Sequence, residues 1–245
     1  MDRVQYWNQR ALTYANLQWA KDNYAINLIM ETINPQPSDV VLDVGTGLGA
    51  MAVVIAPHVK EVVAIDISQE MLRRAERVDS VYYVEWDACE PLFASKTFDK
   101  VVARQVLHHI PHNALQGMLG LCNGILKSGG KIFVIEPVCP AEVIHDEYEA
   151  IFALKDGRNV LTADDIDVGL KEAGFVKVIR RPFVVERFSV KNWLDNNALK
   201  RSVQDKLFEM HVTASPEFKL AYNMKIVNGD CFIDVKNVII TGTKI

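Results

Sequence analysis

At 245 residues the chain has room for one large α/β domain or a domain carrying an insert. It is 49% hydrophobic and 24% charged with a net charge of −4, which gives no overall basic footprint for nucleic acid and leaves only a local basic patch open. No apolar run approaches the ~20 residues of a membrane span, and the N-terminus MDRVQYWNQR is too polar for a signal peptide.

Residues 4 to 33 are predicted helical, with the aromatics Tyr6, Trp7, Tyr14 and Trp19 packing on the core or covering a pocket. Asn34-Pro35-Gln36-Pro37-Ser38 ends that helix, because proline removes a donor and restricts its predecessor. Val40, Val41, Leu42 and Val44 form a buried strand. Gly45, Gly47 and Gly49 follow, and a helical pattern opens at Ala50. Glu61 to Asp66 is a second strand ending in an acid, and Ser68 is the N-cap of a helix over 69–78. Val81 to Val84 and Phe98 to Ala103 are strands three and four. A helix runs from Asn113 to Leu126, with Lys127-Ser128-Gly129-Gly130 as its glycine cap and turn. Lys131 to Glu136 is strand five.

Strands alternating with helices predict right-handed βαβ units in a parallel sheet covered on both faces, with ligands at the carboxyl ends of the strands. Beyond Pro137 a helix starts at Thr162 and runs to Gly174. Phe175 to Val185 is an edge strand, since it carries Pro182. Residues 189–227 read as helical, and Val235 to Thr241 closes the chain as a strand. The fold class is therefore α/β, doubly wound and mostly parallel. It has N-terminal helices and a helical insert before the last strand. Cys89, Cys122, Cys139 and Cys231 lie far apart, with no CxxC or Cys/His spacing. They read as reduced thiols of a cytoplasmic protein with no metal.

Strand, glycine turn, helix is the architecture of a nucleotide-type cofactor site. Gly45, Gly47 and Ala50 satisfy GxGxxA, and Asp66 lies 21 residues after Gly45, where an acid that binds a ribose is expected. Both NAD and S-adenosylmethionine carry an adenosine, so both fit this much. Asp43, two residues before the first glycine, separates them. A carboxylate there repels a pyrophosphate and attracts a sulfonium ligand bearing an α-ammonium group. Asp87, just past strand three, suits the exocyclic amine of adenine, with Ala88 offering a backbone N–H. A dinucleotide domain also usually begins with its strand, whereas here a helix precedes it.

VVLDVGTGLGA, VVAIDIS, WDACEPLF and FDKVVARQVLHHI resemble, in order, the first four motifs of the class I S-adenosylmethionine-dependent methyltransferases. LKSGGKIFVIE resembles the segment leading into strand five. YWNQRALTY is similar to a pattern of the ubiquinone/menaquinone-biosynthesis-like small-molecule subgroup. The resemblance spans residues 6 to 136. It implies a seven-stranded sheet with an antiparallel last strand, and S-adenosyl-L-methionine as cofactor with S-adenosyl-L-homocysteine as product. It implies that Asp43 orients the methionine amino group and that Gly45, Thr46 and Gly47 let that portion lie on the backbone. Asp66 would bind the ribose, Ile67 and Met71 would pack on adenine or ribose, and Asp87 and Ala88 would read the adenine edge. Arg104 would lie near the methionine carboxylate, and Tyr14 would close over the cofactor.

The expected organisation is one methyltransferase domain over 1–245. Within it lie an N-terminal helical lid (1–34), a cofactor-binding core (35–136) and a helical insert over the active-site edge (189–228). Arg104-Gln105-Val106-Leu107-His108-His109 departs from the Asn/Asp-Pro-Pro-aromatic pattern of amino-group methyltransferases. It points to a small-molecule acceptor methylated on O, C or N, with no nucleic-acid or membrane partner. A homodimer stays open. His108 and His109 are the candidate bases, since imidazole titrates near working pH; His145, Tyr148 and Glu136 are weaker ones. The competing readings are an NAD(P)-dependent oxidoreductase, which would lack the Tyr-x-x-x-Lys pair of one large dehydrogenase class, and a non-catalytic S-adenosylmethionine-binding partner protein.

Overall fold

A computed structural model describes residues 3–245, apart from the side chains of Trp19 and Lys21; the expectation for Trp19 thus lies outside the described residues. The chain opens with α1 (Arg3–Arg10) and α2 (Asn23–Ile33), then β1 (Val40–Val44), α3 (Ala50–Ile55), β2 (Glu61–Asp66) and α4 (Gln69–Arg74). It continues through β3 (Val81–Glu85), β4 (Phe98–Arg104), α5 (His112–Ile125), β5 (Leu126–Pro137), α6 (His145–Lys155) and α7 (Ala163–Glu172). The last elements are β6 (Phe175–Ser189), α8 (Val190–Asp195), α9 (Arg201–Val212), α10 (Pro216–Ala221), β7 (Lys225–Val227) and β8 (Asp230–Lys244).

The sheet runs β3-β2-β1-β4-β5-β8-β6, with β7 paired to β8. β1 to β5 are mutually parallel, and β8 is antiparallel to both β5 and β6. Strand order reverses between β1 and β4, and that switch point opens a crevice above their carboxyl ends. Alternate residues of each strand serve opposite faces. Val101 and Ala103 join Leu42, Val44, Ile132 and Val134 under α5 and α7. Val102 joins Val41, Val62, Phe133 and Ile135 under α2 and α3.

A third core lies apart from the sheet faces. Leu17, Ile144, Tyr148, Trp193, Leu207 and Phe218 pack with Cys231 and Ile233 of β8. The lengths of β6 and β8 create it. β5 pairs with β8 only as far as Pro137↔Asn237, while β6 and β8 stay paired down to Ser189↔Phe232. The two antiparallel strands thus project past the end of the parallel sheet. The helices from the 137–160 and 189–228 regions gather on that projection, beside the crevice.

The doubly wound α/β sheet agrees with the sequence, as do the Ser68 N-cap, which accepts the Met71 N–H, and β6 at the edge. Several boundaries differ. The helix expected over 4–33 is broken between Arg10 and Asn23, where two 3-10 turns carry Tyr14 and bury Leu17 in the third core. The helix expected to reach Val78 stops at Arg74, because Ala75 is extended and the Arg77 guanidinium caps the Leu72 carbonyl at 2.9 Å. Lys127 to Gly130 is not a glycine-capped turn but the irregular start of β5. Leu126 pairs with Phe98, and a Cβ on Gly130 would sit 2.8 Å from the Lys127 carbonyl and 3.0 Å from that of Asp99. An eighth strand, β7, takes the end of the expected helical insert. Its signal was Asn228-Gly229, both at positive φ, which is the turn chemistry of a tight hairpin.

Candidate active site

The glycine turn lies where β1 runs into α3. Gly45 has φ +63°, and a Cβ there would lie 2.5 Å from Val106 Cγ2, so no other residue fits. Gly47 has φ +57° with nothing nearer than Tyr14 Cε1 at 4.0 Å, which leaves its backbone open to a ligand. Asp43, two residues before Gly45, is buried and accepts a 2.6 Å hydrogen bond from Thr46 Oγ1. Burial pushes its carboxyl up to about 7, against the opposing hydrogen bonds of Thr46 and the Ala52 N–H. A buried carboxylate held back from ionising suits a ligand that brings a positive charge.

Asp66 closes β2. Its two oxygens accept the N–H groups of Gly47 and Ser68, both at 2.8 Å, which fixes the carboxylate against the glycine turn with lone pairs to spare. Burial raises its pKa, and these N–H groups oppose the rise. Asp87 follows β3. It accepts the Cys89 N–H at 3.0 Å and pairs with Arg3 of α1. α1 is also tied to α4, because Ser68 Oγ donates to Asn8 Oδ1 at 2.7 Å. Sequence reading missed Arg3 and Asn8; neither belongs to a motif, and their partners lie 84 and 60 residues away.

One cavity is lined by Tyr14, Gly45, Gly47, Asp66, Ile67, Met71, Asp87, Ala88, Arg104 and His109, together with Arg3, Trp7, Trp86 and Gln105. An adjoining one brings Asp43 and Thr46 to Tyr14, Gly45 and Arg104. The residues expected from sequence at the cofactor site thus line these two adjoining cavities, which share Tyr14, Gly45 and Arg104. Tyr14 reaches it from a 3-10 turn rather than from a helix. Burial lowers the pKa of Arg104, while the charges of Tyr14 and Asp43 oppose that.

A second, largely aromatic cavity lies under the third core, walled by Tyr148, Phe152, Phe188, Trp193 and Phe218. It shares Trp7, Tyr14, Arg104, Gln105 and His109 with the first cavity. Gln105, with φ +58°, stands just past β4 at this junction, and its N–H donates to the Ile135 carbonyl at 2.7 Å. A non-glycine residue in that conformation is strained, as side chains aimed into sites often are.

The two histidines differ. His108 is buried, and its Nδ1–H donates to Glu136, whose other oxygen accepts the N–H groups of Val106 and Leu107, both at 2.8 Å. Its Nε2 accepts from Arg158 Nη1 at 3.0 Å. Both ring nitrogens are engaged, so His108 positions the turn after β4 and is not a free base. Glu136 is spent in the same network, and His145 stands half-buried at the start of α6 and does not line the cavity. His109 packs edge-on to Trp7, with ring centres 4.6 Å apart, and faces both cavities. Burial and the neighbouring His108 and Arg158 lower its pKa well below the ordinary value, which favours the neutral ring. Arg158 is anchored in turn by Asp156, at 2.9 and 2.7 Å. Burial alone would raise the Asp156 carboxyl, but Arg158 and Lys155 hold it far below the carboxylate range. His211 of α9, which sequence reading missed, also lines the aromatic cavity; its Nδ1–H donates to the Leu207 carbonyl at 2.7 Å.

Residues 41–130 match the family model described as a methyltransferase domain. Over 196 residues the chain is 31% identical to an uncharacterized methyltransferase of Schizosaccharomyces pombe, covering 69% of this chain and 73% of that one. The chain belongs to the S-adenosylmethionine-dependent methyltransferases. That membership sets aside the oxidoreductase reading. Several other curated relatives match about half of this chain and less than two thirds of their own length. The fold is similar to that of a putative methyltransferase from Bacillus halodurans (TM-score 0.77, 22% identity, 91% of this chain and 99% of that one). It is also similar to Haemonchus contortus phosphoethanolamine N-methyltransferase 2 solved with S-adenosyl-L-methionine (TM-score 0.64, 20% identity, 99% of this chain and 58% of that one). The matched segment 41–130 holds the strand ends of the glycine-turn crevice and stops before α6, β6, α8 and α10, which carry the five rings named for the aromatic cavity. Among the described residues of this methyltransferase, no cluster of His, Cys, Asp or Glu could hold a metal, and no helix is long and apolar enough to cross a membrane.

Proposed function

We propose that this methyltransferase methylates an O, C or N atom of a small-molecule metabolite that sits in the aromatic cavity. The observation that carries the reading is the shared wall. The glycine-turn crevice and the aromatic pocket have Trp7, Tyr14, Arg104, Gln105 and His109 in common, so donor and acceptor can meet there. A concave, mostly apolar pocket suits a small molecule better than a nucleic acid or a protein surface.

S-adenosylmethionine supplies an electrophilic methyl group on a sulfonium. The residues around its crevice fit it. Asp43 has a buried carboxyl that an ammonium group would ionise, Gly47 leaves open backbone, Asp66 is a fixed two-oxygen acceptor, and Ile67 and Met71 give apolar cover for a base. Arg104 lies where it can face a carboxylate. The α1 segment and the Tyr14 turn cover the crevice as a lid, and the 137–160 and 189–228 regions cap the acceptor pocket. The chain's main work is then alignment and exclusion of water. His109 takes the proton when the acceptor nucleophile carries one, and His108 holds it in place through the Glu136–Arg158 network. The N-terminal YWNQRALTY supports assignment to the ubiquinone/menaquinone-like subgroup.

The test is incubation with donor labelled in the methyl group and a metabolite extract, followed by mass analysis. Labelled small molecules, each heavier by one methyl group, are expected. Label confined to protein or nucleic acid, or no label despite tight S-adenosylhomocysteine binding, would sink the reading.

A further inference from the structure

The aromatic cavity has an uneven charge. Its lining includes three arginines, Arg10, Arg104 and Arg158, and no aspartate or glutamate. Two of the three are accounted for. Arg158 spends its guanidinium on Asp156 and His108. Arg104 belongs to the junction and also lines both parts of the cofactor crevice.

Arg10 is different. It is the last residue of α1 and only 3% exposed. Its guanidinium lies among three aromatic rings, 4.9 Å from the centre of Trp7, 5.4 Å from Tyr14 and 5.7 Å from Tyr6. Nη1 donates to the Tyr6 hydroxyl at 3.3 Å. The Nε–H is buried with no hydrogen-bond partner, and among the described residues no carboxylate pairs with this side chain. A guanidinium stays charged at any working pH. Ring faces attract it, but they do not accept its in-plane N–H groups. A buried cation with an unused donor is unfavourable until an anion reaches it.

We propose that Arg10 is the anchor for a carboxylate on the methyl acceptor, so that the substrate class is an apolar or aromatic acid. This rests on the aromatic cavity being the acceptor site. One guanidinium edge matches one planar carboxylate. A phosphate dianion would call for a second uncommitted cation, and the cavity offers none. The remaining walls are mostly ring faces and aliphatic carbons, with the amides of Gln105 and Asn237 and the imidazoles of His109 and His211 among them, which suits the body of such an acid.

The test uses the full chain loaded with S-adenosylhomocysteine and the probes 3-phenylpropionate and 4-hydroxyphenylacetate, each against its primary amide, by calorimetry. The acids should bind about tenfold more tightly than the amides. Arg10→Met should erase that preference while S-adenosylhomocysteine affinity stays within about twofold, and Arg10→Lys should restore part of it. A thermal melt checks that the variants fold. Equal binding of acid and amide, no binding of either acid at millimolar concentration, or a preference that survives Arg10→Met would each overturn the assignment. So would a large loss of S-adenosylhomocysteine affinity in Arg10→Met, which would give the arginine to the cofactor. In the labelled-donor survey, products confined to neutral or cationic metabolites would defeat this inference and leave the small-molecule reading standing; an absence of labelled metabolites would defeat both.

Discussion

The two walls of the crevice are built from opposite materials. The wall proposed for the cofactor is backbone and carboxylate: a glycine turn, Asp43 buried on β1, Asp66 pinned by two N–H groups, and Asp87 after β3. The wall proposed for the acceptor is mostly ring faces, aliphatic carbons and guanidinium, with no acid among its lining residues. One is suited to a ligand that arrives with positive charge, the other to one that arrives with negative charge. The walls also differ in how they are held. The first follows from strand ends a few residues long, where a main-chain turn fixes the geometry. The second needs side chains from α1, α6, α8, α9 and the projecting halves of β6 and β8. A site of the first kind tolerates little change in a short sequence. A site of the second kind can change its occupant by replacing rings on a cap.

The seam between the walls should be the most sensitive place to break this contrast. Glu136→Ala leaves the N–H groups of Val106 and Leu107 and the His108 Nδ1–H without an acceptor. It should lower stability by about 3–5 kcal/mol, seen as a melting temperature about 10 °C lower; an unchanged melt would mean that the seam is not held by this carboxylate. His109→Ala should slow turnover about a hundredfold if the acceptor nucleophile carries a proton, with S-adenosylhomocysteine affinity little changed. A matching loss of affinity would move His109 to the cofactor wall. Asp66→Ala should weaken S-adenosylhomocysteine binding about ten- to thirtyfold without changing the acid-over-amide preference of the other wall.

Asp43 gives a smaller effect, in pH. Its folded-state carboxyl is pushed up to about 7, so it is neutral below that and charged above. Binding of an ammonium-bearing ligand should therefore tighten a few-fold as pH rises from about 5.5 to 7.5 and then level off. Asp43→Asn should bind more weakly with a flat profile, and a parallel slope in the variant would assign the titration elsewhere. At the bottom of the scale, Arg201→Ala removes exposed pairs with Asp195 and Asp205 on the outside of the cap. It should change stability by less than about 1 kcal/mol and touch neither wall's ligand.

Legibility follows the same division. β1, β2 and β4 announce themselves as apolar runs, and each ends at a residue of the crevice. The glycines, Asp66 and Asp87 could be placed because a parallel sheet puts its ligand at strand ends. The break after Arg10, β7 and the irregular start of β5 were not readable in the same way. Each depends on a partner far along the chain: Leu17 on the third core, β7 on β8, and Leu126 on Phe98. Arg3, Asn8, Arg10 and His211 carry no motif, and their roles come from what they face. The paired histidines show the limit most clearly. Two identical neighbours looked interchangeable, yet one is locked between Glu136 and Arg158 while the other opens onto both cavities.

The sequence by itself determined the alternation of strand and helix, the glycine turn, and the acids at the strand ends. Periodicity and short-range backbone sterics are local, so a single chain can display them. Tertiary structure alone decided which imidazole opens onto the cavities, how the third core forms on the overhanging β6 and β8, and that a buried arginine faces an aromatic cavity with, among the described residues, no carboxylate paired directly to it. Those outcomes depend on side chains converging from distant segments, and on burial raising the energetic weight of every charge left without a partner.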